Sequence, residues 1–577
     1  MNSQKEENSV KKDDVAIVLC GEAGQGIQTV EHILVRLLRQ TGFHVFATKE
    51  YMSRIRGGSN STEIRLSSER IAAPVDRIDI LCPFHQAALY HLRSRISEGT
   101  TVIGDRTNIC LDCPTEVTDF IDVPFAEIAE SVGGKIFINI VAAGVILGIL
   151  DINMGIVSDF ISKFFAKKDK KIVRKNIEAV QRGYQRGKEL LNSGKTRFAL
   201  KNPMARNEIL LNGAEAVGLG ALTGGCDFLS SYPMSPSTGV MVFLSQHMED
   251  FGVVVEQAED EISAINMALG ASYAGARAMV TTSGGGFALM TEGVSLSGMI
   301  ETPVVIHLAQ RPGPATGLPT RTEQADLELA LYAGHGEFPR AIFAPGSLED
   351  AFTLTRKAFH LADKYQIPVF VLTDQYLMDT FYNVPPFNLE DIHVEKHIIR
   401  TDKNYKRYSI TEDGVSPRGI PGFGDGLVGV DSDEHDEESH ITEDLHLRTQ
   451  MVDKRLRKMD LLNSEIVSPE FIGLEDYEIL LIGWGSTYHT IKEALGVLRR
   501  KDTAFLHFKQ VYPLHPQTIN FIEKAKRTII IENNATSQFG KMIKLYTGMA
   551  IEESVLKYNG LAFTVEEIVR SLKKKLS

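Results

Sequence analysis

The chemistry of this chain is read outward from one carboxylate at the mouth of an apolar helix. Glu256-Gln257-Ala258-Glu259-Asp260-Glu261 runs straight into Ile262 to Ala271, a stretch of small, nearly uncharged residues. Alone, Glu261 reads as a first-turn acid favoured by the positive end of the helix dipole. A buried carboxylate is costly without a partner, so a functional reading needs suitable neighbours. Three stretches offer them. Ser231-Tyr232-Pro233-Met234-Ser235-Pro236-Ser237-Thr238 has two prolines that forbid a regular helix or central strand, which leaves a stiff, hydroxyl-rich loop. The strand-like Ala278 to Thr282 breaks at Ser283-Gly284-Gly285-Gly286 and gives way to a second apolar helix. A further strand, Pro303 to Gln310, ends at Arg311, whose guanidinium can donate two parallel hydrogen bonds to a carboxylate. Strand, glycine turn, helix, strand is a βαβ pattern, and ligands of such sheets sit at the carboxyl ends of the strands. Ser235, Glu261, the glycines and Arg311 are expected to converge there.

The elements that position these residues are too many for one core. At about 150 residues per domain, a chain of 577 residues implies about three to four domains. The net charge of −12 argues against nucleic acid as a main partner. The longest apolar stretch, Ile136 to Leu150, is interrupted by Asn139 and is too short for a membrane helix, so a buried soluble helix is expected. Five cysteines, an odd number, give no disulfide framework and point to a reducing, cytoplasmic setting. Cys110 and Cys113 form a lone Cys-x-x-Cys, read as two incidental thiols rather than half a metal site.

Near the N-terminus, the strand-like Val15 to Cys20 is followed by Gly21-Glu22-Ala23-Gly24-Gln25-Gly26 and an amphipathic helix to about Gln40. A glycine turn between strand and helix can cradle a phosphate, because unpaired backbone N–H groups point outward there. Its spacing differs from Gly-x-Gly-x-x-Gly, which counts against a nicotinamide site. Arg56-Gly57-Gly58 is a second candidate anion loop or a plain surface turn.

The run from Ser231 to Arg321 resembles the pyrimidine-binding domain of the thiamine-diphosphate-dependent 2-oxoacid:ferredoxin oxidoreductases. The shared marks are the Tyr232-Pro233-x-Ser235-Pro236-Ser237 loop, the acidic helix start, Thr282-Ser283-Gly284-Gly285-Gly286 and the loop Arg311 to Gly317. Ser235 stands where the family has Thr, Ala315 where it has Ser, and Pro312 where it has Gly. The two N-terminal motifs and Asn139 to Gly144 resemble the family's gamma domain, and the region from Glu478 resembles its transketolase C-terminal-like domain. The fold class expected is therefore α/β and multidomain. Residues 1–14 form a polar tail, 15–195 the gamma-type domain, 196–206 a linker and 207–395 the pyrimidine-binding domain. Residues 396–474 read as an acidic, solvated Pro/Gly connector and 475–577 as the transketolase C-terminal-like domain.

The resemblance implies roles. Glu261 is the catalytic carboxylate that pairs with the aminopyrimidine, with Ser283, Gly284 and Gly286 also against thiamine diphosphate. Tyr232, Ser235, Pro236 and Arg311 bind the 2-oxoacid. Gly24, Gln25, Gly26, Arg56, Gly57 and Gly58 take part in coenzyme A binding. Gly424-Asp425-Gly426 looks like the start of a diphosphate–magnesium motif but lies in a Pro/Gly loop with no strand before it, and is rejected. The acidic run Asp431 to Glu438 lacks the spacing of a calcium loop. Without a diphosphate domain or a cysteine set for a cluster, the chain looks like a fused gamma-alpha subunit. Its partner beta chain would carry the diphosphate, Mg²⁺ and a [4Fe–4S] cluster, in a heterodimer or dimer of heterodimers that reduces ferredoxin. 2-Oxoglutarate is the first substrate expected. Glu532 and Asn533, at the end of a late strand, are read as scaffold. Two rival functions are a non-redox thiamine enzyme subunit and a non-catalytic assembly subunit of the same fold.

Overall fold

A computed structural model describes residues 13–22, 27–52, 58–109, 113–194, 205, 207–390 and 392–576. The chain divides into two compact units. One comprises Met1–Leu211 with Thr380–Pro386 and Thr564–Glu566; the other comprises Asn212–Asp379, Phe387–Phe563 and Glu567–Ser577.

The first unit is built on an eight-stranded mixed sheet. Its first strand, Asp14–Glu22, is central: it pairs antiparallel with Ser59–Ser67 and parallel with Ile80–Pro83. Almost every residue of Asp14–Glu22 is buried, as expected for a strand covered on both faces. The apolar stretch read as a buried helix is one: Ile138–Ile149 is buried from Ile140 onward. It packs on the long helix Lys170–Asn192, and glycines set the distance between them. A Cβ on Gly144 or Gly148 would collide with the backbone of Lys170–Asn192, and one on Gly183 or Gly187 with the backbone of Ile138–Ile149. Among the described residues no single helix is long and apolar enough to cross a membrane.

The second unit holds two sheets. Five neighbouring strands of a seven-stranded sheet run parallel, in the spatial order Pro368–Asp374, Val304–Gln310, Ala278–Thr282, Phe228–Ser231 and Val254–Gln257. Ala341–Phe343 lies on the far side of Pro368–Asp374, and Gln510–Tyr512 adds an antiparallel edge. The other sheet has five strands centred on Ile479–Trp484, Thr503–Phe508 and Arg527–Glu532. One apolar core joins the two sheets, with Ile306 and Phe370 in the same cluster as Ile482 and Trp484. The expected multidomain α/β architecture is what the structure shows.

The stretch 396–474 differs from the solvated connector expected. Arg407, Tyr408, Arg418 and His435 are buried, as are Lys454 and Lys458 on the helix Leu445–Ser464. Lys454 and Lys458 close on the buried Glu301 at 2.7 and 2.5 Å, and Arg407 donates to the Glu301 carbonyl at 2.7 Å. Polar composition misled because its charges are consumed internally. Glu434 of the acidic run pairs with Arg448 and Arg455, and Glu437 with Lys406. Cys113 is disulfide-bonded, which corrects the reading of an incidental thiol; Cys110 lies outside the described residues.

Candidate functional site

The loops that follow four adjacent parallel strands, Val254–Gln257, Phe228–Ser231, Ala278–Thr282 and Val304–Gln310, bring the candidate residues to one end of the seven-stranded sheet. Asp260 caps the helix Glu261–Tyr273 by accepting from the Ser263 N–H at 2.7 Å. Its exposed side chain satisfies the helix end, so Glu261 is not needed there. Glu261 is instead turned inward, only 3% exposed, and its Oε1 has no hydrogen-bond partner among the described residues.

What it faces is the start of the neighbouring helix, Gly284–Met299. A Cβ on Gly286 would fall on Glu261 Oε1 and on Thr282 Oγ1, so only glycine admits the carboxylate. Gly285 is exposed, and a Cβ there would sit 3.5 Å from the Ala315 carbonyl of the Arg311 loop. A Cβ on Gly284 would fall on both carboxylate oxygens of Asp326. Three successive glycines thus abut three different elements. Ser283 occupies the cap position of this helix, yet its side chain makes no cap bond and its buried Oγ has no partner among the described residues.

Arg311 follows the fully buried strand Val304–Gln310 and donates from Nη1 to the Ser235 carbonyl at 2.8 Å. Burial lowers its pKa, while the nearby Asp326 opposes that shift. Tyr232 and Ser235 are exposed and Pro236 is buried, so the loop offers its phenol and hydroxyl outward. The structure therefore gathers Ser235, Glu261, Ser283, Gly284, Gly286 and Arg311. It also adds Asp326, which the sequence reading passed over. Asp326 precedes the helix Leu327–Leu331 and looks like a capping acid, but its side chain makes no cap bond. Its Oδ2 is buried with no partner among the described residues, and burial, reinforced by Glu323, pushes its pKa up to about 7.

Of the anion-loop candidates in the first unit, Gly24, Gln25, Gly26, Arg56 and Gly57 lie outside the described residues. Gly58 adopts φ +81°, where glycine is favoured. The same unit contains a cavity of about 770 Å³. Phe84, Phe137, Ile138 and Phe165 give it apolar walls, and Lys135, Lys171 and Lys175 bring positive charge to it. Among the described residues no group of three or more His, Cys, Asp or Glu is placed to hold a metal ion. Glu532 fits the scaffold role: its carboxylate accepts from Trp484 Nε1, Asn534, Ser537 and the N–H groups of Phe539 and Gly540.

A glycine-opened helix, an inward carboxylate whose Oε1 has no partner among the described residues, and a guanidinium at the end of a neighbouring strand meet at one end of the sheet of an α/β protein. Comparison with known proteins places the chain in a family. The family model described as pyruvate flavodoxin/ferredoxin oxidoreductase, thiamine diphosphate-binding, matches residues 219–454. A second, pyruvate ferredoxin/flavodoxin oxidoreductase, matches 16–186. The 2-oxoacid:ferredoxin oxidoreductase alpha subunit of a Sulfolobus species is 32% identical over 96% of this chain and 96% of its own. The 2-oxoglutarate oxidoreductase subunit KorA of Mycobacterium tuberculosis is 28% identical, covering 98% of this chain and 92% of its own. A solved 2-oxoglutarate:ferredoxin oxidoreductase from Magnetococcus marinus, with 2-oxoglutarate, coenzyme A and succinyl-CoA bound, superposes with a TM-score of 0.91. It is 31% identical and covers 98% of this chain and 100% of that one. The chain belongs to the 2-oxoacid:ferredoxin oxidoreductase family, among its alpha subunits.

Proposed function

We propose that this chain holds the aminopyrimidine end of thiamine diphosphate and the carboxylate of a 2-oxoacid in a coenzyme A-dependent oxidative decarboxylation. The products are the acyl-CoA, CO₂ and two electrons for ferredoxin. The observation that carries the reading is Glu261 Oε1, buried, without a partner among the described residues and pressed against Gly286 at a helix N-terminus. A buried carboxylate oxygen left open in this way awaits a donor, and a ring N–H of the aminopyrimidine has that character.

When bound, thiamine diphosphate supplies the electron sink for breaking the bond to the substrate's carboxyl group. Glu261 then holds and returns a proton at its Oε1. Ser283 Oγ offers a further polar contact, and Gly284 and Gly286 keep the turn free of side chains. Arg311, anchored on the Ser235 carbonyl, pairs with the 2-oxoacid carboxylate, while the Tyr232 and Ser235 side chains border the entrance. Coenzyme A is assigned to the first unit: an apolar cavity edged by three lysines suits a long thiol carrying phosphates.

2-Oxoglutarate is the first substrate, on the strength of the names borne by the Mycobacterium and Magnetococcus relatives. The reading includes a beta-type partner chain with the diphosphate, Mg²⁺ and [4Fe–4S] sites, and a heterodimer or dimer of heterodimers in the cytoplasm. The test is to purify the chain with its partner and assay 2-oxoacids with coenzyme A and a low-potential dye. Glu261→Ala in the assembled complex should lower turnover by about 10²–10⁴-fold, the range for general acid–base groups. Unchanged turnover would remove the catalytic assignment.

A further inference from the structure

Asp326 has no ordinary reason to be where it is. Its backbone N–H donates to Gln310 Oε1 at 3.0 Å, and Gln310 in turn donates to the Thr373 carbonyl, so the residue is pinned to two strands. Two residues earlier, the buried Gln324 exchanges hydrogen bonds with Asn533 and donates to the Trp484 carbonyl at 2.9 Å. The backbone is therefore held firmly while the carboxyl is left without a cap role and its Oδ2 without a partner among the described residues. Gly284 leaves no room behind it. Arg311, at the end of Val304–Gln310, and Glu323, on its own segment, lie near enough for their charges to act on it. The Ser283–Gly286 turn presents the positive end of its helix, with Glu261 of the neighbouring helix against Gly286.

We propose that Asp326 is a positioning residue that governs Arg311: as a neutral acid it leaves the guanidinium to the substrate carboxylate, and as a carboxylate it takes the guanidinium for itself. The proposal rests on the assignment of Arg311 to the 2-oxoacid. Asp326 changes state near neutral pH, since burial and Glu323 lift it to about 7 against the pull of Arg311. On ionising it gives its proton to solvent. Above that pH, a substrate carboxylate arriving at Arg311 must drive a proton back onto Asp326, so binding is coupled to proton uptake.

The experiment is calorimetric titration of the assembled holo-complex with oxamate, an unreactive amide analogue of a 2-oxoacid, from pH 6 to 9 in two buffers of different ionisation enthalpy. The expected affinity is level below pH 7 and falls about tenfold per pH unit above it, with uptake of one proton. Asp326→Asn should flatten the profile, bind at pH 8.5 as the parent does at pH 6, and take up no proton. Gly284→Ala, which crowds the carboxyl, should move the midpoint. A flat profile in the parent complex overturns the proposal, as does an undiminished slope in Asp326→Asn. Arg311→Lys separates the two readings: unchanged oxamate affinity at pH 6 would mean that the Arg311 assignment itself has failed.

Discussion

Gly286→Ala places one methyl group between two structural requirements. The added Cβ meets Glu261 Oε1 and Thr282 Oγ1, both within clash distance, and Thr282 belongs to a fully buried strand that cannot give way. The carboxylate is the part that moves. Hydrogen bonds to charged groups contribute about 1.5–3 kcal/mol, so withdrawal of Glu261 should weaken thiamine diphosphate binding by about 10- to 150-fold. The same methyl group costs about 1–3 kcal/mol in overpacking and recovers about 1 kcal/mol of helix propensity. Cofactor affinity should therefore fall far more than melting temperature. The assay is isothermal titration of the cofactor-free complex with thiamine diphosphate and Mg²⁺, beside a thermal melt. Gly285→Ala is the control, since its Cβ makes only an ordinary 3.5 Å contact with the Ala315 carbonyl. Undiminished affinity in Gly286→Ala, or an equal loss in Gly285→Ala, would refute the placement of Glu261 against that glycine.

Reversing charge at the cavity of the first unit, Lys171→Glu with Lys175→Glu, should raise the KM for coenzyme A by at least about tenfold, the value of a lost charged contact. The KM for the 2-oxoacid should not change, and a steady-state assay of both substrates checks this. Acid stability tests His307, which lies between Thr281 Oγ1 at 2.7 Å and Thr373 Oγ1 at 2.9 Å and is driven by burial to about 3. Because its folded value lies below the unfolded 6.5, its contribution is present above pH 6.5 and is lost as pH falls toward 3. Calorimetric melts across that range should show His307→Asn with lower stability at neutral pH but a shallower loss in acid.

The βαβ order around Glu261 was legible because helix, turn and strand signals agreed locally. Apolar runs such as Val304–Gln310 are strands buried on both faces, and the glycine turn marks where one ends and a helix begins. Long-range pairing was less legible. Nothing in Gln510-Val511-Tyr512 announces that it adds an edge to a sheet whose other strands lie more than a hundred residues earlier. Nor does the composition of 396–474 disclose that Lys454, Lys458 and Arg407 neutralise a buried glutamate, since a charge reads as solvated until its partner is found in space.

The two acids of the site show where sequence reading stops. Glu261 was found because it sits in a run of acids at a helix start, and only one of them can cap. The structure gives that task to Asp260, which frees Glu261 for chemistry. Asp326 carries the opposite ambiguity. A single acid before a short helix is almost always read as a cap, and no sequence pattern distinguishes a cap from a carboxyl turned toward a glycine far earlier in the chain but adjacent in space. What distinguishes it is negative and geometric: the cap bond is missing, Oδ2 has no partner among the described residues, and Gly284 is shaped around it. Glycines at a helix start therefore carry information about the side chains they make room for. In Ser283-Gly284-Gly285-Gly286 the first and third glycines each face an acid, and only the middle one has space for a methyl group. The turn's composition follows from two carboxyls packed against it, each of which leaves no room for a methyl group on the glycine it faces.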